Sequence, residues 1–207
     1  MSNTTLRQLY YKFYIETEWL MYSCNGSLVG ISLHNMNESL FRLGGEMSVV
    51  RLHDAWARFS RQLIIMSAAC EPYTYSGIKL GRAPGIRNTT DVIPTLLSTY
   101  QKAKFEPKWY DAVGCIDAAN RLKIQNLHTI SSSLGSVSSP SEELRRVRNY
   151  FVHRGKNTAA LVRKHPSLAH ISCLKLESIV GDRVYPGISR MEYWVNGLRL
   201  IAMAAIQ

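Results

Sequence analysis

One short segment concentrates the side chains that could carry chemistry. It runs from 144 to 155 and contains Arg148, Asn149 and His153. Imidazole titrates nearest neutral pH, so His153 is a candidate general acid or base. A guanidinium binds phosphate through paired N–H donors and stabilises growing negative charge, which makes Arg148 a candidate anion-binding group. Asn149 comes one helical turn before His153 and is expected to orient either the imidazole or the bound anion.

The sequence predicts that this segment is a helix over about 140–154. Ser139-Pro140-Ser141-Glu142 has the pattern of a capping box with proline at the first helical position. Gly155, directly after Arg154, is typical of a helix stop. The apolar side chains of the helix share one core-facing stripe: Leu144, Val147 and Phe151.

Hydrophobic periodicity predicts further helices that would position this one. They cover about 4–23, 51–70, 92–103 with Asp91 as cap, 111–132, and 190–206 after a second capping box at Ser189–Glu192. Helix and strand compete over 25–45, and glycines and prolines break 156–188 into short pieces. Residues 71–90 are expected to form a long basic loop that contains Lys79, Arg82 and Arg87.

These elements indicate an all-α fold. Several long helices with only short strand-like segments are typical of a helical bundle, here with a long basic loop and short irregular insertions. The length of 207 residues favours a single domain over 1–207. The sequence shows no internal repeat.

Composition and charge indicate which classes of binding partner are expected. The formal charge of +10 favours a polyanion such as nucleic acid, although a basic surface can also serve solubility alone. The four cysteines are scattered singly, which predicts neither a zinc site nor a disulfide framework. We expect no metal and no cofactor. The sequence shows no secretory signal and no apolar stretch that could span a bilayer, so a cytoplasmic protein without membrane contact is expected.

The segment resembles the signature of the HEPN superfamily, in which an Arg is followed by a polar residue and, four to six residues after the Arg, a His. Here the match is Arg148, Asn149 and His153, near the end of a well-capped helix late in the chain. The resemblance covers about 139–155, and the preceding helices and the closing helix add weaker support. Some members carry a Tyr two residues after the His as a modification target, and this chain has Gly155 there.

The resemblance implies a metal-independent endoribonuclease that works as a homodimer through the motif helix. Arg148 and His153 point about 140° apart on one helix, so two copies would combine their groups in one positive groove. The RNA 2′-hydroxyl would attack the adjacent phosphate and leave a 2′,3′-cyclic phosphate and a 5′-hydroxyl. A toxin or phage-defence setting, with an antitoxin or regulatory protein as partner, is also implied.

Other residues would support RNA binding or the cleft. The candidates for RNA contact are basic and lie near the motif or in the loop: Arg145, Arg146, Arg154, Lys156, Lys79, Arg82 and Arg87. The candidates for cleft support are polar residues on other predicted helices: Asp54, beside His53, with Arg58 and Asn120. Asn120 falls on an apolar stripe, where a structural hydrogen bond is the competing interpretation.

Three alternatives remain open from the sequence. The arginines around 148 could form a solvated basic face, with His153 at the helix end. A non-catalytic HEPN module would use the same surface to bind RNA, a nucleotide or a protein partner. An interaction protein would use the aromatic-rich first helix as its binding surface, although core packing explains most of those aromatic side chains as well.

Overall fold

The computed structural model describes residues 5–33, 37–101, 105–136 and 139–207. They form nine α-helices: α1 (Leu6–Ser32), α2 (Glu38–Ala69), α3 (Thr89–Ser98), α4 (Ala112–Leu122), α5 (Leu127–Ser136), α6 (Ser139–His153), α7 (Lys156–Arg163), α8 (Leu176–Val180) and α9 (Arg190–Ala205). A short 3-10 helix (Pro166–Leu168) and an antiparallel pair, β1 (Arg183–Tyr185) with β2 (Ile188–Ser189), complete them. The predicted all-α class is confirmed. Across these ranges, no helix combines the length and apolarity needed to cross a bilayer.

Backbone proximity divides the chain into two compact units. The first combines 1–14, 56–138 and 199–207, and the second combines 15–55 and 139–198. The core of the first unit includes an aromatic cluster in which the ring centroids of Phe13 and Phe59 lie 4.9 Å apart. In the second unit, fully buried side chains of α6 and α9, among them Leu144 and Trp194, contribute to the core.

The first two helices are longer than periodicity predicted. Helix α1 continues past residue 23 to Ser32, and α2 begins at Glu38 rather than near 51. The ambiguous stretch 25–45 is therefore helical over 25–32 and 38–45, and the described residues Leu33 and Asn37 form turns. Gly30 lies where the two helices pack closely, since a Cβ there would fall 2.5 Å from the Phe41 ring.

Helix α3 starts earlier than expected. The predicted cap Asp91 is wrong, because Asn88 is the N-cap and its side-chain oxygen accepts from the backbone N–H groups of Thr90 and Asp91. The helix ends at Ser98 rather than near 103, and 102–104 lie outside the described residues.

The single helix predicted over 111–132 is wrong. The chain leaves α4 at Lys123, which adopts the left-handed φ of 54° and donates its N–H to the carbonyls of Ala119 and Asn120. A new helix starts at Leu127. The buried residues of α4 are Cys115, Ala118, Ala119 and Leu122, so Asn120, which the sequence placed on an apolar stripe, is not on the buried face.

The predicted loop, the predicted series of short elements and one of the two capping boxes agree with the structure. Residues 71–88 form a loop whose single isolated bridge joins Tyr73 to Lys79, and 156–188 is a series of short elements. The capping box before α9 is confirmed, since Ser189 N–H donates to Glu192 at 2.7 Å and Glu192 N–H donates to the Ser189 hydroxyl at 3.3 Å. The Ser139 side chain of the other predicted box lies outside the described side chains.

Candidate functional site

A buried ion-pair network holds the motif helix α6 in the second unit. Glu143, 1% exposed, accepts hydrogen bonds from the Arg190 guanidinium at 2.8 Å, the Trp194 indole at 3.1 Å and the Ser167 hydroxyl at 2.6 Å. Arg190 also pairs with Asp182. A buried charge is stable only when paired and hydrogen-bonded, and these donors satisfy that requirement. The network fixes α6 against α9.

Arg148 is half-buried on this helix and has an unusual hydrogen-bonding state. Its Nη1 donates to the Asn149 side-chain oxygen at 3.3 Å. Its Nε is buried, and no acceptor for it lies within the described part of the chain. A buried donor without an acceptor is costly, and functional sites are where such groups are retained. An anion bound against Arg148 would supply the missing acceptor.

His53 and Asp54 of α2 belong to the same environment. The imidazole is 5% exposed, and its Nδ1 lies 3.4 Å from a carboxylate oxygen of Asp54. Burial lowers the pKa of His53, and the nearby charges of Arg148 and Arg145 lower it further. Its surroundings therefore favour the neutral form of His53 over the protonated form. The sequence-predicted Asp54 is its hydrogen-bonding partner.

His153 is exposed and is the last residue of α6. The helix stops because Arg154 takes the left-handed φ of 46° and donates its N–H to the Tyr150 carbonyl at 2.8 Å. The predicted stop residue, Gly155, is instead the N-cap of α7. Glu46 of α2, itself buried, forms an ion pair with Arg154. The turn that presents His153 is therefore anchored to α2.

Three further predicted RNA contacts lie near the motif. Arg145 and Arg146 both pair with Glu142, at 2.7 and 2.8 Å, and lower the pKa of that carboxyl. Lys156 is exposed at the start of α7. The two arginines retain one net positive charge after pairing with Glu142, since two cations share one carboxylate.

The basic-loop residues belong to the first unit and are ion-paired there. Lys79 and Arg82 both contact Glu71 at 3.0 Å, and Arg87 lies 3.3 Å from Asp91. Each of these pairs is solvent-exposed and contributes little to stability. Phosphate groups could therefore replace the carboxylate partners of these three side chains with little loss of folding free energy.

Arg58 and Asn120 also belong to the first unit, and both are exposed. The sequence placed Asn120 on an apolar core stripe. It is instead exposed and lines a surface pocket together with Val113 and Leu127. The structural hydrogen bond that a buried position would require is therefore not needed there.

Sequence reasoning did not identify two residues of this arrangement, Glu46 and Glu143. Glu143 precedes the core-facing Val147 by one turn, so its position on the buried stripe was available from helical periodicity. Glu46 gave no such signal, because its partner Arg154 is distant in the sequence and lies between α6 and α7.

No protein-family model matches the chain, and no curated protein or solved structure is significantly similar to it. No group of three or more His, Cys, Asp or Glu side chains in the described ranges is arranged to hold a metal ion. Evidence on function therefore comes from the arrangement of the side chains around Arg148.

Proposed function

We propose that the chain is a metal-independent endoribonuclease of the HEPN type. The observation that carries the proposal is Arg148, a half-buried guanidinium whose Nε has no acceptor among the described residues. It contacts Asn149 and precedes the exposed His153 on the same helix. A phosphodiester would satisfy this guanidinium, and RNA is the phosphodiester that carries its own nucleophile.

The reaction requires proton transfer and charge stabilisation. A neutral imidazole takes the proton of the 2′-hydroxyl, the 2′-oxygen bonds to phosphorus, and the bond from phosphorus to the 5′-oxygen breaks. The leaving oxygen receives a proton from an imidazolium. Arg148 holds the non-bridging oxygens, where charge accumulates. His153 is the proton carrier, because it is the exposed imidazole of the motif.

Two copies of the chain can place an Arg148 and a His153 at one phosphate, which a single copy cannot do. Arg148 and His153 point about 140° apart on one helix, so a single α6 does not direct both groups to one phosphate. In a symmetric pair, one His153 acts as base and the His153 of a second copy acts as acid. The toxin or defence setting and an antitoxin or regulatory partner remain part of the proposal through the HEPN resemblance.

The test is digestion of RNA in EDTA with analysis of the product ends. We expect 2′,3′-cyclic phosphate ends from the wild-type chain, and a loss of at least 100-fold in Arg148→Ala and in His153→Ala. His128→Ala, an exposed histidine of the first unit, is the matched control and is expected to cleave normally. Undiminished cleavage in either motif variant contradicts the assignment. Binding of RNA without any cleavage identifies a non-catalytic binding module instead.

A further inference from the structure

Helix α1 is apolar on two opposite faces. Over the second unit, Leu20, Cys24 and Ile31 are buried on one face. The opposite face carries large side chains that are mostly exposed: Ile15 56%, Trp19 71%, Tyr22 65% and Val29 57%. Leu33, 73% exposed, directly follows the last residue of α1 and continues this stripe. A helix that is apolar on all sides is normally covered on all sides. A contiguous exposed apolar stripe of this kind marks an interaction surface.

The exposed stripe has the spacing of a coiled-coil seam. Its positions are 15, 19, 22, 26, 29 and 33, so steps of four and three alternate over the whole length. We call these six residues the α1 seam. Helix α2 packs on α1, where the Ser48 hydroxyl donates to the Ser23 hydroxyl at 3.1 Å. Helix α2 also has exposed apolar side chains of its own: Leu40 66%, Leu43 55% and Met47 43%.

Gly26 lies in the middle of the α1 seam, and no contact within its own described chain requires a glycine there. No heavy atom of the described chain stands within 4 Å of the place where its Cβ would be. Glycine inside a helix is less stable than alanine, so it needs a reason. Gly30, by contrast, faces the Phe41 ring of its own chain. At Gly26 the seam has a notch that opens outward.

We propose that the α1 seam pairs with the α1 seam of a second copy, antiparallel about a two-fold axis at residue 24. One axis then relates 15 to 33, 19 to 29 and 22 to 26, because each pair of positions averages 24. Tyr22 fills the notch at Gly26 of the second copy, and Trp19 packs on Val29. A large side chain meets a small one in both pairs, which is the complementarity that an isologous interface requires.

The available area is sufficient for such a pairing. The seam rises about 27 Å at 1.5 Å per residue, and α1 with α2 is about 20 Å wide. The face therefore covers on the order of 500 Å² per copy, or about 1,000 Å² in total, where specific interfaces begin. This proposal does not depend on RNA cleavage.

Sedimentation of the full chain over a range of concentrations tests the proposal. We expect a wild-type dimer and at least tenfold weaker association in Gly26→Leu, whose side chain meets open space in the single chain and fills the notch. Val152→Ser is the control, because Val152 is 46% exposed on α6. It is expected to leave the dimer intact. A wild-type monomer throughout, or dissociation by Val152→Ser but not by Gly26→Leu, overturns the proposal. Circular dichroism of Gly26→Leu verifies that it is folded.

Disulfide trapping tests the orientation. In a Cys70→Ser/Cys173→Ser background, which removes the exposed thiols, Tyr22→Cys and Gly26→Cys proteins are mixed and oxidised. We expect mixed disulfides between the two proteins in preference to disulfides within either one. Efficient crosslinking of Tyr22→Cys to itself indicates a parallel pairing and contradicts the antiparallel one. RNA cleavage is measured separately, so the nuclease proposal can fail while this one holds.

Discussion

Glu46 on α2 pairs with Arg154, the residue directly after His153. The carboxylate is buried, with 7% exposure, whereas the guanidinium is about half exposed and lies 5.5 Å over the rings of Tyr150 and Phe151. The hydrogen bond raises the pKa of Arg154. The end of the motif helix is therefore tied to a second helix at the point where the candidate catalytic imidazole is presented.

Replacement of Glu46 by Gln should loosen this attachment. We expect the free energy of unfolding to fall by about 1 kcal/mol, because the charge-assisted bond is lost but solvent screens the half-exposed Arg154. RNA cleavage should fall several-fold more than RNA binding, since His153 is less well positioned. Urea unfolding and single-turnover cleavage measure the two effects. Glu38→Gln, which removes an exposed ion pair of α2, is the control. Unchanged cleavage in Glu46→Gln would show that the pair has no positioning role.

Arg148 should affect activity and stability in opposite directions. Arg148→Met keeps the aliphatic stem and removes the buried Nε that has no acceptor within the described chain. We expect cleavage to fall at least 100-fold, while the free energy of unfolding stays constant or rises by up to about 1 kcal/mol. Such an exchange of stability for activity is typical of functional sites. A clear loss of stability would indicate a structural role for the guanidinium.

Arg148→Lys distinguishes charge from geometry. Lysine keeps the positive charge but lacks the planar paired donors. We expect it to retain RNA binding at low salt and to cleave almost as poorly as Arg148→Met. Full activity in Arg148→Lys would mean that a point charge is enough.

Much of α6 could be predicted from the sequence because its signals are local. The proline at its start, the stripe of Leu144, Val147 and Phe151, and the charged flank all lie within one segment. The break between α4 and α5 could not be predicted, because Lys123 takes a left-handed conformation without a glycine or proline to indicate it. The apolar period also continues across that break, so periodicity cannot detect it.

The candidate site was predicted only in part, for a different physical reason. Arg148, Asn149 and His153 are neighbours in sequence and could be recognised together. The environment of Arg148 depends on His53 and Asp54, which reach it only through the packing of α2. The lowered pKa of His53 follows from burial and from nearby arginines, and neither is visible in a sequence.

The Glu143 network should dominate the stability of the second unit. Glu143→Gln removes the carboxylate that the buried Arg190 contacts at 2.8 Å. We expect a loss of about 3 kcal/mol, because removal of one partner leaves a buried charge insufficiently compensated. Glu142→Gln, its half-exposed neighbour, should cost less than about 1 kcal/mol. Equal costs in urea unfolding would contradict the structural role of Glu143.

His53 should make the protein less stable in mild acid. Burial, followed by the charges of Arg148 and Arg145, lowers the pKa of His53 below its ordinary value of about 6.5, so the unfolded chain binds a proton more readily than the folded chain. Stability therefore rises with pH across the interval between the two pKa values and falls as the pH drops below about 6.5. His165, whose pKa burial also lowers, contributes in the same direction.

We expect His53→Gln to have a smaller difference in unfolding free energy between pH 7.5 and pH 5 than the wild type, as measured by urea titration. His128→Gln, at an exposed position, should keep the wild-type difference. An unchanged pH dependence in His53→Gln would mean that the pKa of His53 is the same in the folded and unfolded chains, which contradicts the effect of burial and of the nearby arginines.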